Sequence, residues 1–114
     1  MNYDTVFHFD HNPECLNIAV TNIINYISAM KNEPMSVVLV VNGPGIKLMG
    51  KDNPDVAPKI AQIHRLGVQI KVCNNALNHF ELSPDFLCPE CEIIPAGVVE
   101  LVQLQKKGYA YIKP

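Results

Sequence analysis

A chain of 114 residues and 12.7 kDa has room for one compact domain, residues 1–114, and excludes two. With 48% hydrophobic and 18% charged residues it can bury roughly two-thirds of its unfolded surface, so a core needs neither disulfide staples nor a structural metal. A formal net charge of -2, from 9 Lys+Arg against 11 Asp+Glu with no basic run, removes the electrostatic footprint of a nucleic-acid binder.

Residues 1–10 carry Asp4, His8 and Asp10 where an export signal has a basic start and an apolar stretch. The longest apolar run, Val37–Val41, is far short of the ~20 residues that cross a bilayer. The expectation is a soluble, cytoplasmic protein with no membrane partner. Residues 3–9 have the β-branched and aromatic character of a strand. Asn12, Pro13 and Glu14 then read as a helix start: a capping side chain, a proline at the first helical position and an acid in the first turn. Leu16, Ala19, Val20, Ile23, Ile24, Ile27 and Met30 recur at the spacings of one helix face.

Residues 35–41 are an almost unbroken apolar, β-branched run, the pattern of a strand buried on both faces, closed by the turn Asn42-Gly43-Pro44-Gly45. Val56, Ile60 and Ile63 mark a second helical face ended by Gly67, and residues 68–72 a third strand. Residues 74–80 read as a short helix. After the irregular stretch 81–92 come Ile93-Ile94, a helix opened by Pro95 with Val98, Leu101 and Val102 inward, and a last strand over 109–112 following Gly108.

Strands separated by helices predict an α/β single-domain fold: three layers, α/β/α, around a mainly parallel five-stranded sheet, flavodoxin-like in broad terms. Ligands of such sheets bind outside the carboxyl ends of the strands. That points to His11, Asn42-Gly43, Cys73-Asn74-Asn75 and Pro95-Ala96-Gly97.

The four cysteines are expected to be reduced thiols. Cys73 ends a buried strand and precedes Asn74-Asn75 at a helix start, where backbone N–H groups favour the nucleophilic thiolate. On position alone, an inert buried cysteine is the commoner case. Cys15, in the first turn of the first helix, reads as a small packing residue. Cys88-Pro89-Glu90-Cys91 is a lone CxxC whose spacing suits half of a tetrahedral zinc site, a dithiol pair or an ordinary turn. It precedes a strand, which disfavours thioredoxin-type chemistry, and zinc would need two more ligands from Cys73, Cys15, His79, His11 or a neighbouring subunit. A reversible disulfide across the turn stays open. Of His8 and His11, His11 is the better candidate to face Cys73 as its base or thiolate partner. Gly43-Pro44-Gly45 with Lys47 lacks the spacing of a phosphate loop and reads as a turn.

Four ordered blocks, residues 38–45, 67–77, 94–101 and 108–114, together resemble the DsrE/DsrF-like family over nearly the whole chain. The resemblance implies a YchN-like α/β sandwich assembled as homo- or hetero-oligomers, with trimers and hexamers both represented. In some members a cysteine at the end of the third strand carries sulfur as a persulfide, and Cys73 stands at the matching place. The resemblance therefore implies an intracellular sulfur carrier, at most sulfurtransferase-like. In it Cys73 takes sulfane sulfur from a donor protein and passes it to an acceptor, with Asn42, Gly43, Asn74, Asn75 and His11 in support. Cys88 and Cys91 stand where relatives have a short loop, which leaves three roles open: resolving a persulfide on Cys73, binding a metal, or cross-linking subunits. The alternative expectation is a non-enzymatic oligomeric binding module with a small-ligand or zinc site at Cys88 and Cys91.

Overall fold

Five parallel strands build the central sheet of the computed structural model, which describes residues 3–114: β1 (Thr5–Phe9), β2 (Val37–Val41), β3 (Gln69–Cys73), β4 (Cys91–Ile94) and β5 (Ala110–Ile112). Met1 and Asn2, where the expectation about an export signal begins, lie outside the described residues. The strand order is β4-β3-β2-β1-β5. The helices are α1 (Pro13–Ala29), α2 (Ala57–Arg65), α3 (Asn74–His79) and α4 (Gly97–Lys106), with short 3-10 turns at Gly43–Leu48 and Pro84–Phe86. Among the described residues, no helix is long and apolar enough to cross a membrane.

From β1 to β4 the chain steps in one direction across the sheet, then returns to set β5 beside β1. Right-handed crossovers put α1, α2 and α3 on one face and, because the last step is reversed, α4 on the other. Two core clusters record this. Phe7, Leu39, Val41, Ile70 and Val72 pack with Leu16, Val20, Ile23, Ile60 and Ile63. Val6, Val38 and Val40 pack under Leu101 and Leu104. Strand β2, buried at all five positions, is apolar throughout because each alternate residue meets a covered face.

The local signals act as expected at the helix ends. Asn12 Oδ1 accepts from the Glu14 N–H at 2.8 Å, and Pro13 opens α1. Gly67, at a φ of 99°, closes α2: its N–H donates to the His64 carbonyl at 2.9 Å and the Val68 N–H to the Ile63 carbonyl at 3.1 Å.

Two segments differ from expectation. Strand β4 begins at Cys91, before Ile93-Ile94, because an edge strand tolerates exposed residues such as Glu92 in its ladder. In α4, Val98 and Val102 face outward, 62% and 51% exposed, and burial falls on Gly97, Leu101 and Leu104. Among the described residues α4 is the one α-helix on its face, so only its central stripe meets the sheet. Glu100, on the same helix, reaches Lys71 of β3 at 2.7 Å, with the two side chains 16% and 15% exposed.

Candidate functional site: a cavity at the carboxyl ends of the strands

The end of β2, the β3–α3 junction and the β4–α4 turn border an open cavity of about 580 Å³. Its lining comprises Asn42, Gly43 and Pro44 from the first segment, Cys73, Asn75, Ala76, His79 and Phe80 from the second, and Ala96, Gly97 and Val98 from the third. Three of the four segments named from the sequence therefore converge. The segments meet closely because glycines remove the obstructing side chains. A Cβ on Gly45 would lie 2.7 Å from the Asp10 carbonyl carbon, and one on Gly97 would lie 3.0 Å from Asn42 Cβ.

Cys73, at the last position of β3, is buried and is the one cysteine among the cavity's lining residues. Asn75 lines the cavity on the exposed side of α3, whereas Asn74 does not. None of the lining residues is a carboxylate, lysine or arginine. The outer wall is aromatic: the His79 ring stands edge-on to Phe80 at 4.7 Å, and the Lys47 ammonium sits 4.3 Å from the Phe80 ring centroid. A thiol among neutral donors, apolar contacts and no acidic group is suited to a nucleophile that passes through an anionic state.

His11 is not part of this arrangement. Its side chain is 61% exposed, and its Nδ1 lies 2.5 Å from Asp10 Oδ1, which also accepts from Lys113 Nζ at 2.9 Å. Strand β1 stops at Phe9, and the Asp10 carbonyl is taken by the Gly45 N–H at 2.5 Å, so the chain turns outward before His11. Burial acts to raise the Asp10 carboxyl, but hydrogen bonds from Lys113 and His11 outweigh it and hold the group below its ordinary value.

His8 stands behind the cavity wall, in contact with the lining residue Asn42. Its Nε2 lies 2.8 Å from Asn42 Oδ1 and its Nδ1 lies 2.6 Å from the Tyr111 hydroxyl. The signal in the sequence is a histidine at a position alternating with Phe7 and Phe9, which strand alternation directs to the face that α4 covers.

The CxxC lies elsewhere. The Cys91 N–H donates to the Cys88 carbonyl at 3.1 Å, closing a turn, and Cys91 pairs with Ile70 while Cys73 pairs with Ile94. Three residues separate these positions along the strands, about 10 Å. A disulfide needs Cα atoms within about 7 Å, so Cys91 does not resolve a persulfide on Cys73 within one chain of this fold. Among the described residues, no group of three or more metal-ligating side chains is assembled, so Cys15, Cys73, His11 and His79 of the same chain do not join Cys88 and Cys91.

Burial pushes the Cys88 thiol up, and pushes Cys91 up to about 12, with Cys88 and Glu90 adding repulsion. Both are neutral, poorly nucleophilic thiols near pH 7. Folded Cys91 holds its proton more tightly than an unfolded thiol, whose value is 9.0. This contribution to stability is complete below pH 9 and is lost as the pH rises toward 12, because the unfolded chain ionises first. In thermal melts over about pH 8 to 11, the wild-type Tm is expected to fall more steeply than that of Cys91→Ala. Parallel curves would show that the site does not hold the proton.

The DsrE/DsrF-like family model matches residues 6–114. No curated protein matches the sequence. Among solved structures, MTH1491 from Methanobacterium thermoautotrophicum, a protein of unknown function, is 24% identical with a TM-score of 0.91, over 99% of this chain and 100% of that one. The ychN protein from E. coli is 16% identical with a TM-score of 0.83, over 100% of both chains. BT1422 from Bacteroides thetaiotaomicron, a conserved protein of unknown function, is 12% identical with a TM-score of 0.78, over 97% of this chain and 94% of that one. At these identities the likeness establishes the shared fold, and the family match, which begins within β1 and takes in every later element, establishes the kinship: the chain belongs to the DsrE/DsrF-like family.

Proposed function

We propose that the protein is a sulfur carrier in which Cys73 accepts sulfane sulfur and hands it on. The observation that carries this is the place of Cys73: it alone of the four cysteines lines the cavity at the carboxyl ends of the strands. Family membership is consistent with a sulfur-relay role. In the step envisaged, the Cys73 thiolate attacks the outer sulfur of a donor persulfide. The donor's S–S bond breaks, its thiolate leaves, and a new S–S bond forms on Cys73; an acceptor thiolate reverses the exchange. The transfer is redox-neutral. Amide groups of Asn42 and Asn75 supply donors at the rim, and the lack of a lining carboxylate spares the anionic persulfide from repulsion.

The partners in this proposal are a donor protein, an acceptor protein and further copies of the same chain. Outward-facing Val98, Val99 and Val102, with Tyr111 and Ile93, support a homo-oligomer. Reduced thiols suit the cytoplasm.

The reduced protein, incubated with a sulfane donor, is expected to gain about one sulfur, ~32 Da, in its intact mass, and Cys73→Ser to gain none. A wild-type protein without the gain, or a serine variant that keeps it, would sink the proposal. Native spectra of the same samples are expected to show multiples of the 12.7 kDa chain.

A further inference from the structure

We infer that His8 is a positioning residue for the Cys73 cavity: it holds the Asn42 side chain so that its amide NH2, and not its carbonyl oxygen, is presented to the bound sulfur. This deepens the sulfur-carrier proposal and rests on it for the identity of the ligand.

Thr5 and His8 are the buried polar side chains among the described residues, His8 at 9% exposure. A buried imidazole is costly unless both nitrogens are satisfied, and both are. Asn42 Oδ1 only accepts, so His8 Nε2 carries a proton; in the singly protonated ring Nδ1 then accepts from the Tyr111 hydroxyl, 2.6 Å away. The proton on Nε2 is therefore set by Asn42, at the end of another strand, while Nδ1 meets a hydroxyl of β5.

Asn42 itself has given up its usual task. It stands at the N-cap of the turn Gly43–Leu48, where asparagine commonly accepts a backbone N–H, yet its side chain makes no capping bond. The Oδ1 is turned to His8 instead. On the other side the α4 start packs against the stem of Asn42, since a Cβ on Gly97 would lie 3.0 Å from Asn42 Cβ. Held between His8 and Gly97, the side chain lines the cavity with Oδ1 already engaged. The group left for a ligand is Nδ2, with its two donors. Donors stabilise a thiolate or persulfide, whereas a carbonyl oxygen in the same place would repel it.

The wild-type protein decides the first half without any variant. Long-range 15N–1H correlation spectra are expected to show His8 as the Nε2–H tautomer, and the Nδ1–H tautomer would overturn the assignment. For the second half, the rate at which iodoacetamide alkylates Cys73 is read at the peptide level near neutral pH. His8→Phe, which fills the space without a donor, is expected to slow alkylation about tenfold. His8→Gln, whose amide nitrogen takes the place of Nε2, is expected to stay within about threefold of wild type. An unslowed His8→Phe, or a His8→Gln as slow as His8→Phe, would overturn the role. Neither readout involves sulfur transfer. A protein that passes both yet takes up no sulfur refutes the carrier proposal and leaves His8 as the residue that sets Asn42; uptake with a failed tautomer or alkylation test refutes His8 alone.

Discussion

Gly45→Ala is expected to destabilise the protein by about 3 kcal/mol, a fall in Tm of roughly 15 °C for a domain of this size. Space, not backbone conformation, is the cause. The added Cβ would lie 2.7 Å from the Asp10 carbonyl carbon, 2.8 Å from Phe9 Cε2 and 3.0 Å from the Asp10 oxygen. Neither neighbour can retreat. Phe9 is buried in the main core, and the Asp10 carbonyl is held by the Gly45 N–H at 2.5 Å. Relief requires the turn Gly43–Leu48 to lift off β1, which would expose Ile46, a fully buried residue of that core. Gly67→Ala is the natural control. Nothing lies within 4 Å of its added Cβ, so its cost is only the strain of a φ of 99°, about 1 kcal/mol. Chemical denaturation of both variants checks the ranking, and a Gly45→Ala loss no larger than that of Gly67→Ala would refute it. Because Gly43 and Pro44 belong to the same turn and line the cavity, Gly45→Ala is also expected to disturb the Cys73 site.

Glu100→Ala is expected to cost about 2 kcal/mol, by leaving the Lys71 ammonium without its 2.7 Å partner under α4. Breaking a fully buried pair typically costs 3–5 kcal/mol, and two features lower the figure here. The side chains keep 15% and 16% exposure, and Glu92 lies directly across from Lys71 on β4, close enough to take over part of the charge. Glu92→Ala alone should therefore change little, yet cost more in the Glu100→Ala background than in wild type. The double variant Lys71→Met/Glu100→Leu should be close to wild type, because it removes both charges and fills the space. Urea titrations of the set measure these differences. A neutral Glu100→Ala would mean that the pair is solvated in solution, and equal Glu92→Ala costs in both backgrounds would mean that Glu92 does not act on Lys71.

Much of this arrangement was legible because its causes are local. Asn12-Pro13 caps α1 through atoms two residues apart, and Gly67 closes α2 within one turn. Cys73 was recognisable as the residue to watch from an apolar strand running into a polar helix start. What is not legible depends on contacts between distant segments. His11 reads as the histidine facing Cys73 because the stretch after a strand reads as its continuation, whereas the Gly45–Asp10 contact, 35 residues apart, turns the chain after Phe9. Val98 and Val102 read as inward because apolar residues on a helix normally face a core, but how wide a stripe is covered depends on how many helices share that side of the sheet.

The alternation of strands and helices, the two-sided burial of β2 and the position of Cys73 at a strand end are readable from the chain, since each follows from periodicity and capping within a few residues. Long-range packing fixes the rest. It sets β5 beside β1, so that Tyr111 meets His8 across 103 residues of chain, and it sets the register of β4 on β3, which keeps Cys91 away from Cys73. Pairing between distant strands is chosen by the packing of whole faces, a property that no single segment carries.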